Sequence, residues 1–298
     1  MTKLQALFDI EAWLSLTVYE QDAVIREVAV TLESEFFYEG MINYSFIDSL
    51  RIPTFRHLLT GLEMNMVIGG TFNMGLSENE EKAAREITSS FSFDIELMRP
   101  THTVQIQPFL MTKFPILDKF AQNYIELDEN LFRPEFGGPD DVIPVYLTRN
   151  EIRMLSDSLG FCLPSESQWE YAYRAKTETL FYFGNSLPED EVLETQILLC
   201  NYSNYQVNQK AATPFGFVGM CIGEWCEDSF AGSYDVRRTN DAPLLKGPPY
   251  VVRGGAAALW PWQDCDEWTL CMSAMRSSSE VLEDETCGAR LVKRLQIV

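Results

Sequence analysis

The 298 residues suffice for one sizeable domain with an appendage, and 46% hydrophobic against 22% charged residues excludes disorder or low complexity for the whole chain. Asp and Glu number 44 against 23 Lys and Arg, a formal net charge of -21 that repels phosphate backbones and makes nucleic acid a poor partner. No apolar run reaches membrane-spanning length, and the opening MTKLQALFDIEAWL carries Asp9 and Glu11 inside its apolar stretch, unlike a secretory signal.

Residues 2–16 read as a helix, with Thr2 and Gln5 spaced as a capping box and Leu7, Ile10 and Leu14 on one face. A second helix is expected over residues 21–38, where Val24, Val28, Leu32 and Phe36 recur at fourfold spacing and Gly40 can close it. These two form a helical N-terminal extension, residues 1–60, with Pro53 near the junction, and residues 61–298 form the main domain. Past Leu62 the pattern turns to short β-type runs, 66–74 and 103–111, broken by Gly, Pro and Asn. Two later helices announce themselves by capping boxes. Thr148 and Glu151 precede Ile152, Leu155 and Leu159, with Gly160 to follow; Ser165 and Gln168 precede Trp169, Ala172 and Tyr173. Glu170 and Arg174 are spaced to pair across one helical turn.

The seven cysteines, Cys162, Cys200, Cys221, Cys226, Cys265, Cys271 and Cys287, are odd in number and come without export features, which points to reduced thiols in the cytoplasm.

An ordered series of motifs runs through residues 61–294. It begins at Gly69, Gly70, Met74 and Gly75, and continues with Glu96, Pro100, His102, Val104 and Phe109. LPSESQWEYAYRAK follows, with Leu163, Pro164, Glu166, Trp169, Glu170, Tyr171, Ala172 and Arg174, and then Gly184. Glu224, Trp225, Cys226 and Asp228 come next, then Arg253, Gly254 and Gly255, and finally Gly288, Arg290 and Leu291. The series resembles the formylglycine-generating enzymes, or sulfatase-modifying factors. That resemblance implies an α+β, loop-rich fold of the C-type-lectin type. Trp169, Glu170 and Arg174 are read as residues that hold the fold, and His102 as a hydrogen-bonded structural histidine.

The family's oxidases bind copper(I) through two cysteines shortly after Arg-Gly-Gly, because soft thiolates favour that ion. Four residues past Gly255 this chain has Leu259; Cys265 and Cys271 follow farther on, with five intervening residues instead of four. Cys221 stands where the relatives' calcium loop has asparagine, leaving Glu224 as the candidate calcium ligand. A related branch holds iron through three histidines, and this chain has only His57 and His102.

The primary expectation is therefore a non-catalytic binding or assembly protein, without a nucleic-acid or membrane partner, that presents residues 256–287 to a protein or small ligand. Trp260, Trp262, Trp268 and Arg276 are the candidate contacts, beside the acidic Glu283, Asp284 and Glu285. The alternative is a copper-dependent oxidase that converts a substrate cysteine to formylglycine, with Cys265 and Cys271 as metal ligands and catalytic pair. In a third reading the N-terminal helices dock an assembly partner.

Overall fold

The computed structural model describes residues 3–44, 50–88, 94–129, 144–186, 212–220, 223–254, 266–279 and 286–296. The fold is α+β. A 3-10 helix, Lys3–Phe8, is followed by α1 (Ile10–Ser15), α2 (Val18–Leu32), β1 (Phe36–Ile42), β2 (Ile52–His57), β3 (Glu63–Val67) and β4 (Gly70–Met74). Next come α3 (Glu78–Ile87), β5 (His102–Ile106), β6 (Phe109–Thr112), α4 (Asp118–Ala121), β7 (Leu147–Thr148), α5 (Arg149–Leu159) and α6 (Glu166–Arg174). The C-terminal part supplies β8 (Glu224–Ser229), β9 (Tyr250–Arg253), β10 (Arg276–Ser279), β11 (Thr286–Cys287) and β12 (Val292–Arg294).

The single helix expected over residues 2–16 is two. Asp9 breaks it, because its carboxylate accepts from the amides of Glu11 and Ala12 and so starts α1 afresh. The second helix begins earlier than expected, at the capping box of Thr17 and Glu20, and stops at Leu32. Phe36 fits the helical stripe, but Phe36, Phe37 and Tyr38 form an aromatic run that favours extended chain, and the alternating burial from Phe36 onward is that of a strand. Gly40 is not a helix stop; it lies in β1 at φ 134°, beside the bulge that shifts the register between Tyr38 and Gly40.

β1 and β2 join a five-stranded antiparallel sheet in the order β1-β2-β3-β6-β12, in which Phe36 faces His57, Thr54 faces Asn65, Met66 faces Leu110 and Val292 faces Met111. The first 60 residues thus supply two strands as well as helices, and Pro53 lies within β2. The run 66–74 divides at Gly69, and the run 103–111 at Gln107 and Pro108. A side chain at Gly69 would lie 2.6 Å from the carbonyl of Ile106, and the Gly69 amide donates to the Leu7 carbonyl at 2.8 Å. The glycine therefore lets the N-terminal segment seat on the body while β4 and β5 pair separately.

α5 and α6 form where the sequence placed them, each with a complete capping box, and Gly160 closes α5 in the left-handed conformation. α3 carries the same signature at Ser77 and Glu80, which the sequence reading passed over. Thr148→Ala and Ser165→Ala are each expected to cost about 1 kcal/mol through loss of the cap, read as a lowered urea midpoint at unchanged m-value.

The main core joins residues from every layer, including Leu7, Trp13, Phe55, Met66, Phe109, Leu155, Trp169, Phe215, Trp225 and Leu291. A smaller cluster gathers Leu76, Met98, Tyr146, Leu180, Phe181, Cys271, Met272 and Met275 beneath the C-terminal segment. Among the described residues, no helix is long and apolar enough to cross a membrane.

Candidate functional site

α6 is buried along its whole length, and its charged side chains are satisfied inside the protein. Glu170 accepts from the Gly75 amide at 2.9 Å and from Arg174 Nε at 2.8 Å, and its second oxygen pairs with Arg253. Arg174 also reaches Glu80 at 2.5 Å. Burial alone would raise the Glu170 carboxyl, but Arg253, Arg174 and the Gly75 amide outweigh it and hold it below the ordinary carboxylate range.

One turn earlier, Glu166 takes Arg276 in a bidentate pair, Nε to Oε1 at 2.7 Å and Nη2 to Oε2 at 2.8 Å. Arg276 also donates to the carbonyls of Leu97 and Ala231, between the rings of Phe230 and Tyr234. It was expected as a ligand contact, yet it is 2% exposed, with its guanidinium spent on these partners.

A second buried cluster centres on Glu224 in β8. Its carboxylate accepts from Arg290 Nε at 2.8 and 3.1 Å and from Trp169 Nε1 at 2.7 Å. Arg290 carries the pairing on to the carbonyls of Thr112, Lys113 and Val218. Burial raises the Glu224 carboxyl against the pull of Arg290. As a calcium ligand Glu224 would have to give up Arg290 and the indole N–H, both of which hold it here.

These clusters fix the ends of the C-terminal loop region. Arg253, at the end of β9, donates to the carbonyls of Ser273, Ala274 and Met275. β10 pairs with β9, placing Arg276 opposite Arg253. At the far end, the Trp225 amide donates to the Gly288 carbonyl and the Gly288 amide to the Gly223 carbonyl, at 2.9 and 2.7 Å.

Trp260, Trp262, Cys265, Leu259, Cys221 and the trio Glu283, Asp284 and Glu285 lie outside the described residues, and Trp268 is placed only by its backbone in the 3-10 helix Asp266–Cys271. Cys271 is 5% exposed within the smaller cluster, and its carbonyl accepts from the Tyr173 hydroxyl at 2.6 Å. Copper(I) of the kind the resemblance implies needs two converging thiolates. Among the described residues only Cys271 of the pair is placed, enclosed by apolar neighbours, so this geometry does not show a fit to the ion and supports no step through it. Nor do the described residues bring together three or more His, Cys, Asp or Glu side chains able to hold a metal. Cys226 is fully buried, and burial pushes its thiol well up.

The two histidines serve different sheets. His57 packs between Phe36 and Phe161, at centroid distances of 5.1 and 4.9 Å, and burial lowers its pKa. His102 packs against Tyr234 in a tilted arrangement at a centroid distance of 5.0 Å, with Nδ1 3.3 Å from the Pro100 carbonyl. Glu80 was not read from the sequence, although its capping-box spacing from Ser77 signals it; Asp228, named in the motif series, accepts from the Glu166 amide and pairs with Arg238.

Among solved structures, PvdO from Pseudomonas aeruginosa superposes with a TM-score of 0.55 at 17% identity, over 81% of this chain and 98% of that one. Treponema denticola variable protein 1 superposes with a TM-score of 0.51 at 16% identity, over 78% and 95%. These likenesses support the C-type-lectin-like architecture of the formylglycine-generating type. No curated protein matches the chain significantly. The family described as FGE-sulfatase, the sulfatase-modifying factor enzyme 1-like domain, matches residues 54–295, more than half of the sequence, and the chain belongs to that family.

Proposed function

We propose that this family member is a non-catalytic binding or assembly protein, in which a fixed frame presents residues 256–287 to a protein partner or a small ligand. The observation that carries the reading is the anchoring of that region. Arg253 and Arg290 pin the chain on either side of it into buried ion pairs with Glu170 and Glu224, and Arg276 ties its middle to Glu166, leaving these motif residues committed to the frame. Between such fixed points, the part of the region outside the buried Cys271–Arg276 stretch can change sequence without disturbing the core. A fold relative named a variable protein is in keeping with that use. Trp260, Trp262 and Trp268 are the proposed contacts, since aromatic anchors dominate interface energetics. Residence in the cytoplasm belongs to the same reading, supported by the free thiols Cys162, Cys226 and Cys271.

Copper titration of the reduced full-length protein tests the non-catalytic claim. Weak, non-stoichiometric uptake, equal in wild type and Cys271→Ser, is the expected result. Tight one-to-one binding that disappears in Cys271→Ser would establish the oxidase alternative instead.

A further inference from the structure

A cleft of about 390 Å³ lies where the N-terminal segment meets the body, between the Phe8–Glu11 corner, β4, β5 and the chain leaving α6. We propose that it binds a small molecule bearing a primary ammonium group on an apolar body. The proposal is independent of the loop 256–287 and of what that loop recognises.

The volume falls in the range of small-molecule sites. One side is apolar: Phe8 and Phe72 line it, and Phe72 packs on the Tyr171 ring at a centroid distance of 5.3 Å. The polar side is ordered by its own hydrogen bonds. Thr71 donates to Gln105 at 2.7 Å, and Gln105 Nε2 donates to the Phe8 carbonyl at 3.3 Å, tying the N-terminal corner to β5.

The charges decide which ligand fits. Each guanidinium nitrogen of Arg174 is already bonded, to Glu170, to Glu80 and the Thr179 carbonyl, and to the Gly75 carbonyl. Lys176 is paired with Glu11 across one end of the cleft. Both cations that line the cavity are therefore neutralised. Asp9 uses only Oδ1 to cap α1, and neither its Oδ2 nor the Glu178 carboxylate has a hydrogen-bond or ion-pair partner among the described residues. The charge left for a guest is negative, and a cation-bearing guest is favoured.

The backbone at the rim supports a built site. Ala175 and Lys176 are consecutive non-glycine residues at φ 44° and 76°, a sparsely populated and costly conformation of the kind that gathers at ligand clamps. It is this turn that brings Lys176 back onto Glu11 and sets Glu178 at the opening.

Isothermal titration of the full-length protein with 2-phenylethylammonium, 2-phenylethanol and phenylacetate tests the proposal. The ammonium compound is expected to bind, and the neutral and anionic analogues to bind more weakly by about tenfold or more, the worth of one charge-assisted hydrogen bond. Asp9→Asn keeps the helix cap and removes the charge, and Glu178→Gln removes a charge at an exposed position; each should weaken the ammonium compound about threefold to fivefold. Thr71→Trp, built from an exposed strand position, should fill the opening and abolish binding. If Thr71→Trp fails to fold, Glu178→Gln decides alone. No binding of the ammonium compound by wild type, equal binding of the three compounds, or undiminished binding by Glu178→Gln overturns the proposal.

Discussion

Glu170→Gln is expected to destabilise the fold by about 3–5 kcal/mol, the usual cost of removing one partner from a buried ion pair, out of a total of about 5–15 kcal/mol. The carboxylate is wholly buried and receives three donors, the Gly75 amide, Arg174 and Arg253. Gln keeps the shape but presents an N–H where one guanidinium now points, so a donor would face a donor. Arg174 would retain Glu80 at 2.5 Å, but Arg253 would be left with Glu166 at 3.7 Å as its nearest carboxylate. Glu11→Gln, which breaks the pair with Lys176 at a largely exposed side chain, should cost less than about 1 kcal/mol. Urea unfolding of both variants makes the comparison, and equal losses would refute the assignment of Glu170 to the frame.

The same residue sets a pH dependence. Because the Glu170 carboxyl is held below its unfolded value of about 4.3, its stabilisation is fully present above that pH and is lost as pH falls through the lower, folded value. Glu224 acts in the opposite sense: its raised carboxyl costs stability when ionised, and that cost is relieved on acidification. Glu170→Gln should therefore show a shallower loss of stability than wild type below about pH 4.3. Parallel acid-side slopes would count against the shift.

The parts of the fold legible in the sequence are those written by local chemistry. Thr148 with Glu151, Ser165 with Gln168, and Gly160 at the end of α5 each solve a helix-end problem within a few residues, so the pattern survives without tertiary context. The Glu170–Arg174 pair was legible for the same reason, being one helical turn long. The non-local partners were not. Nothing near Glu170 in the chain announces Arg253, and nothing near Trp169 announces Glu224, because those meetings are made by strands that arrive from 55 to 83 residues away. β1 failed for another reason: Phe36 satisfies both the helical and the extended pattern, and the choice is made by β2, whose His57 lies opposite it. Arg276, named as a candidate contact, turns inward to Glu166, a partner 110 residues away that nothing beside Arg276 in the chain announces.

Trp169→Ala is expected to cost about 3–5 kcal/mol for the lost burial alone. The indole is fully buried, stacked on Tyr173 at 5.2 Å with planes 13° apart, and lies 5.5 Å from the Arg253 guanidinium. Its N–H reaches Glu224, so one side chain touches both ion clusters. Truncation would open a cavity beneath Arg253 and strip a donor from Glu224, whose carboxyl is already pushed up by burial. Trp169→Phe separates the two effects: it keeps much of the stacked ring and loses the N–H, and should cost about 1–3 kcal/mol, the penalty of a buried acceptor deprived of a partner. Because Trp169 and Glu170 act on Arg253 together, the loss in Trp169→Ala/Glu170→Gln should fall short of the summed single losses by about 0.5–3 kcal/mol. Strict additivity in that cycle would mean that the two clusters stand independently, and that Trp169 fills space without joining them.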